Sequence, residues 1–106
     1  MKHYEIYQLK EENQRNRIFL PWRMVKSFDL NHYEKVYEGD IKESKDIDAL
    51  EALFARFNMN HPSDFRGHSL SVSDVVVLDG VPYYCDSYGW VNTSTEHTDA
   101  KNKRFL

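Results

Sequence analysis

The chain opens on strict alternation. In "HYEIYQL", Tyr4, Ile6 and Gln8 fall on one side and Glu5, Tyr7 and Leu9 on the other, the period of a strand built from good β-formers. The next six residues, "KEENQR", are wholly polar and read as an exposed turn. In "RIFLPWRMVKSF" the pattern predicts a short strand over Arg17 to Leu20. It leads into a helical turn with Pro21 at the first position, where a missing N–H costs nothing. "HYEKVYEGD" reads as a second strand ending at Gly39-Asp40. Tyr33, Lys35 and Tyr37 are expected on one face and Glu34, Val36 and Glu38 on the other, which suits a sheet edge.

"DIDALEALFARFN" changes the period. Ile47, Leu50, Leu53, Phe54 and Phe57 recur at three- and four-residue spacing and form one apolar stripe, so a helix is expected over 46–58. Ser44 or Asp46 is placed to cap its start, acids crowd its first turn, and Asn58 can end it. "DVVVL" and "VPYYCDSYGW" flank Asp79-Gly80, a strong hairpin signal, with Pro82 tolerable at a strand's first residue or at an edge. From Asn92 onward the periodicity is lost. The reading is one α+β domain over 1–91: a small, mainly antiparallel sheet packed against one main helix, with a C-terminal β-hairpin. A flexible or irregular tail over 92–106 follows.

Composition narrows the function classes. A length of 106 residues suits one domain, and seven Tyr, six Phe and two Trp supply large core pieces. The formal charge of −3 gives no global basic field, so no direct sequence-specific nucleic-acid binding is expected, and the C-terminal "KNKR" is too short to change that. No apolar run approaches the roughly 18 residues of a membrane span, and the opening residues lack a signal peptide's apolar core. Cys85 is the only cysteine, which excludes an internal disulfide and a four-cysteine zinc site. A reduced, cytoplasmic protein is expected. Within a strand, Cys85 reads as a small buried hydrophobe rather than a nucleophile.

The stretch "HPSDFRGHSLSVSDVVVLDG" is the candidate for chemistry, and it has two readings. In the structural one, Asp64, Arg66, His68, Ser71 and Asp74 hold a bend so that "VVVL" can enter the sheet. Pro62 biases His61 towards an extended conformation, Gly67 permits a positive φ, and Ser69, Ser71 and Ser73 alternate with Leu70 and Val72. Asp74 then accepts backbone N–H groups where the strand begins. The catalytic reading gathers His61, His68, Asp64 and Asp74 into a metal or acid/base cluster. The two histidines lack the i, i+4 register of a helical metal motif, and no G-x-S-x-G elbow supports a triad. The structural reading is preferred, and no catalytic, cofactor-binding or metal-ligating residue is assigned.

Two features point instead to a protein interface. Between Glu34 and Glu51 lie the acids Glu34, Glu38, Asp40, Glu43, Asp46, Asp48 and Glu51 against Lys35, Lys42 and Lys45. Such an imbalance is either a solvated face or a mimic of nucleic-acid phosphates that fills a basic groove. Tyr83, Tyr84, Tyr88 and Trp90 cannot all face one small core if their strand alternates, and a surface cluster of these types favours binding. The candidate interface is therefore Tyr83, Tyr84, Tyr88 and Trp90 with Glu34, Glu38, Asp40 and Glu43. Edge strands also allow a homodimer.

"FNMNHPSDFRGHSLSVSDVVVLDG" followed by "YYCDSYGW" resembles the YodL-like domain, and the likeness extends upstream to "YEIYQLK" and "YEKVYEGDI". The block from Phe57 to Trp90 is long and unusual enough to be specific. The family usually ends its hairpin in a "DSFGF"-like run where this chain has "DSYGW", and the resemblance is not followed into the tail after Val91. The resemblance implies a compact domain of Firmicutes, often encoded on plasmids and conjugative elements, alone or fused within larger conjugation proteins. It supplies no catalytic residues. Three functions follow as expectations. The first is a non-enzymatic mobile-element protein that binds and inhibits a host defence nuclease, an anti-CRISPR (Cas9-type) or antirestriction inhibitor, by blocking nucleic-acid loading or complex assembly. The alternative is a modulator of another host protein, such as the cell-shape cytoskeleton. A small metal-dependent enzyme built on the loop is third, and it alone predicts lost activity in a folded His61→Ala or His68→Ala variant.

Overall fold

The strand that comes first in the chain lies inside the sheet. In the computed structural model, which describes residues 1–94, β1 (Lys2–Leu9) is flanked by β2 (Tyr33–Ile41) and β3 (Val75–Leu78). The sheet continues through β4 (Val81–Asp86) to β5 (Gly89–Asn92), and every neighbouring pair is antiparallel. One helix, α1 (Asp46–Met59), packs on it. The α+β class with one main helix is the one expected.

The alternation of β1 divides the core in two. Tyr4 and Ile6, with Val76, Leu78, Tyr83, Cys85 and Trp90 from the neighbouring strands, pack on Leu50, Leu53 and Phe57 of α1. Phe54 belongs to the helix stripe but stays partly in water, its ring edge-on to Trp90 at 6.3 Å. The opposite face is also covered. Leu9, Val75, Val77, Tyr84 and Val91 lie under an excursion over residues 10–32 that brings Trp22, Val25 and Phe28 onto the sheet. β3 is therefore buried on both sides, which accounts for its unbroken apolar run.

That second layer corrects the reading of Arg17 to Leu20. These residues form no strand: the chain turns here, with positive φ at Asn16 (65°) and Phe19 (61°). Pro21 precedes the helical turn Trp22–Met24 instead of opening it. In β2 the single-period reading fails at a bulge. Ile6 pairs with Tyr37 but Tyr7 pairs with Lys35, so Val36 is the extra residue. Tyr37 joins the helix-side core, whereas Tyr33 joins the other.

Lys45, with no side-chain bond, stands at the cap position of α1. Asp46 lies inside the helix, where its carboxylate meets Lys2 at 3.0 Å and accepts from the Tyr83 hydroxyl. The helix runs on to Met59, one residue beyond Asn58. Asp79 (φ 47°) and Gly80 (φ 85°) make the expected hairpin turn, but the run after them is two strands, not one. Asn92 closes the last strand, and the Thr93 N–H and hydroxyl both donate to the Pro82 carbonyl, so ordered pairing passes the boundary expected at 91. The rest of the expected tail, 95–106, lies outside the described residues.

Candidate functional site

The loop before β3 converges on one buried carboxylate. Asp74 is 2% exposed and accepts from the Ser71 N–H at 2.9 Å and the Gln8 amide at 3.2 Å. Gln8, buried on β1, uses its whole side chain. Its Nε2 also donates to the His68 carbonyl (2.8 Å), and its Oε1 accepts from the His68 N–H (3.1 Å). The His68 Nδ1–H donates to the Ser69 carbonyl at 2.7 Å and lies 3.8 Å from Asp74. Burial drives the Asp74 pKa up to about 7, against the opposing pull of His68, the Ser71 N–H and Gln8.

Ser73 extends the junction to three more segments. Its hydroxyl accepts from the Phe19 N–H, its carbonyl from the Tyr33 hydroxyl, and its N–H donates to the Cys85 carbonyl. Its φ of 90° is the strained backbone that turns the chain into β3. Other loop groups are spent nearby. Asp64 accepts from the Tyr37 hydroxyl at 2.9 Å, and Arg66 donates to the Ser63 carbonyl. His61 contacts the Pro62 carbonyl and the Phe65 ring. His68 and Asp74 lie 3.8 Å apart, but among the described residues no hydrogen bond joins His61 to His68, Asp64 or Asp74. The loop is a fastening between strands.

Gly67 is required for a different reason from the one expected. It takes no positive φ. A Cβ there would stand 2.5 Å from Gln8 Oε1 and 2.9 Å from the Phe65 ring. Gly67→Ala is expected to cost about 1–3 kcal/mol through overpacking, read as a lower urea midpoint. An unchanged midpoint would show that the loop yields freely.

Of the aromatic residues expected at an interface, three belong to the core. Tyr83, Tyr84 and Trp90 are each 2% exposed, and only Tyr88, at 64%, meets water. The sheet has two covered faces, so adjacent Tyr83 and Tyr84 each find a core. Their polar tips are also engaged: Tyr84 donates to the Leu20 carbonyl and the Trp90 indole to Glu51. Cys85, beside them, has its thiol pushed up to about 12 by burial, which removes it as a nucleophile at neutral pH.

The acidic candidates do reach the surface, along the edge strand. Glu34, Glu38 and Asp40 are exposed on β2, and Glu43 is half-buried just beyond it. Glu38 meets Lys35 at 2.5 Å, which holds its carboxyl below the usual range, and Asp40 meets His3 at 3.0 Å. His3, Glu5 and Glu38 converge closely enough to hold a cation, but Lys35 reaches both carboxylates. The bulge places Glu34 opposite Gln8, out of line with Glu38 and Asp40.

The family model of the YodL-like domain matches residues 3–95. This chain belongs to the YodL-like domain family. The matched span takes in all five strands, the Gln8–Asp74 fastening and the acidic edge of the YodL-like domain. No curated protein and no solved structure matches the chain. No helix among the described residues is long and apolar enough to cross a membrane. What sequence reasoning missed in this YodL-like domain is Gln8. Its signal was an amide on the same strand face as Tyr4 and Ile6, a polar group directed into a core.

Proposed function

We propose that this YodL-like domain is a non-enzymatic binding module of a mobile element, acting on a host defence nuclease of the Cas9 or restriction type. It blocks nucleic-acid loading or assembly of the complex by occupying a basic groove. The observation that carries the reading is β2, a nine-residue edge strand bearing exposed Glu38 and Asp40 in one line, with exposed Glu34 beyond the bulge. Charged side chains and a bulge guard such an edge against indiscriminate pairing, and leave it open to a partner of complementary charge. The loop's polar groups are spent on the fold, which favours binding over catalysis.

The test is a nuclease-treated pull-down of the tagged chain from a Firmicute carrying a Cas9-type system, read by mass spectrometry. Stoichiometric recovery of the nuclease is expected, with at least tenfold loss for Glu34→Lys/Glu38→Lys/Asp40→Lys. These exposed positions should leave the thermal midpoint nearly unchanged. Recovery of a cytoskeletal protein in the nuclease's place would transfer the domain to the alternative reading. Equal recovery by the triple variant would remove the acidic edge from the mechanism.

A further inference from the structure

The excursion over 10–32 encloses a cleft of about 400 Å³ against the sheet. That volume is in the range of small-molecule sites. Its lining includes the rings of Phe28, Tyr33 and Tyr84, with centroids 5.8 Å apart for Phe28–Tyr33 and 6.2 Å for Phe28–Tyr84. Both phenol hydroxyls are engaged in the fold, through Ser73 and Leu20, and both residues are buried, so they close the floor of the cleft and Phe28 is its half-buried ring. Leu20, Met24 and Val25 add aliphatic wall.

The same cleft is lined by Arg15, Arg17 and Lys26. Lys2 and Lys35 each hold carboxylates within 4 Å, whereas none of these three cations forms an ion pair among the described residues. Arg15 and Lys26 are exposed, and Arg17 makes one long bond to the Asn13 carbonyl. Asp29 is the lone acid of the lining, and its Oδ1 accepts from the Asn31 N–H.

We propose that the cleft binds a small organic anion with a flat ring and a phosphate, the chemistry of a nucleoside monophosphate. The ring lies against the half-buried Phe28 and the aliphatic wall, where stacking and apolar burial act together, over a floor closed by the buried Tyr33 and Tyr84. The phosphate meets Arg15, Arg17 and Lys26, and three permanent cations suit a dianion better than a single carboxylate. This site is separate from the acidic edge of β2 and does not rest on the nuclease reading.

The experiment is a titration of the ¹⁵N-labelled full chain with AMP, with adenosine and inorganic phosphate as separate arms, followed by amide shifts. AMP is expected to move resonances of residues 15–33 and Tyr84, binding at least tenfold more tightly than either adenosine or phosphate. Arg15→Ala/Lys26→Ala should weaken AMP at least tenfold while the amide spectrum elsewhere reports an intact fold. The proposal is overturned if AMP moves nothing, if shifts scatter over the surface, or if AMP binds no better than phosphate. Undiminished binding by the double variant overturns it as well.

Discussion

Trp22→Ala is expected to lower stability by about 3–5 kcal/mol, the range for truncating a large buried aromatic. Trp22 is 4% exposed, with ring centroids 5.0 Å from Tyr84 and 5.9 Å from Phe28. Its backbone N–H donates to Asp86 at 2.9 Å, so the residue fastens the excursion to β4 by backbone and ring together. The indole Nε1 has no hydrogen-bond partner among the described residues. Trp22→Phe removes that orphaned donor along with some volume, and the two effects oppose each other. It is expected to stay within about 1.5 kcal/mol of the parent. Urea unfolding of both variants separates packing from polarity. If Trp22→Ala unfolds at the parent midpoint, the excursion is not what covers the second face. A smaller m-value with the midpoint held would instead mean that the layer detaches by itself.

Asp74 gives the second large effect, and its sign depends on pH. The native carboxyl holds its proton up to about 7, whereas an unfolded Asp releases it near about 3.9. Between those values the native state binds more protons. The stabilisation is therefore fully present below about pH 4 and is lost as pH rises through about 7, to the extent of a few kcal/mol. Asp74→Asn mimics the neutral form and keeps an acceptor for the Ser71 N–H and the Gln8 amide. It is expected to match the parent near pH 4 and to exceed it by a few kcal/mol near pH 8. Asp74→Ala leaves both donors without an acceptor and is expected to cost about 1–3 kcal/mol near pH 5. Chemical denaturation across pH 4–9 reads all three chains. Asp74→Asn less stable than the parent at pH 8 would sink the argument, because the fold would then be using the charge beside His68.

Much of the fold could be read from local pattern. The alternation of β1 holds residue by residue, the stripe of α1 faces the sheet, and Asp79-Gly80 turns the hairpin. Each of these signals is carried by neighbours in the chain. The misreadings have non-local causes. Nothing within "YEKVY" announces a bulge, since the extra residue exists only against β1. Ile18, Trp22, Val25 and Phe28 recur at three- and four-residue spacing, yet the excursion that carries them covers the sheet with short turns and not with an α-helix. With that layer unforeseen, the alternation of Tyr83 and Tyr84 implied a surface cluster, where two cores accommodate both. In the loop the residue types were legible as fastenings. Their main partner was not, because Gln8 lies 66 positions before Asp74. The acids of β2 were legible as exposed, but His3 and Lys35 as their neighbours emerge only from the β1–β2 register.

The inside position of β1 has a consequence for how the chain acquires its shape. β1 can pair with β2 early, but its other flank waits for β3, and the Gln8–Asp74 bond must close a segment spanning most of the domain. Joining ends that far apart costs chain entropy before any contact rewards it, and such non-local pairing slows folding. At about 5–20 residues per second, synthesis takes seconds to travel from β1 to the hairpin. Throughout that interval the nascent chain carries a half-paired strand and an uncovered apolar face. Until its last hairpin emerges, the chain thus presents an unpaired edge and apolar surface of the kind that invites aggregation.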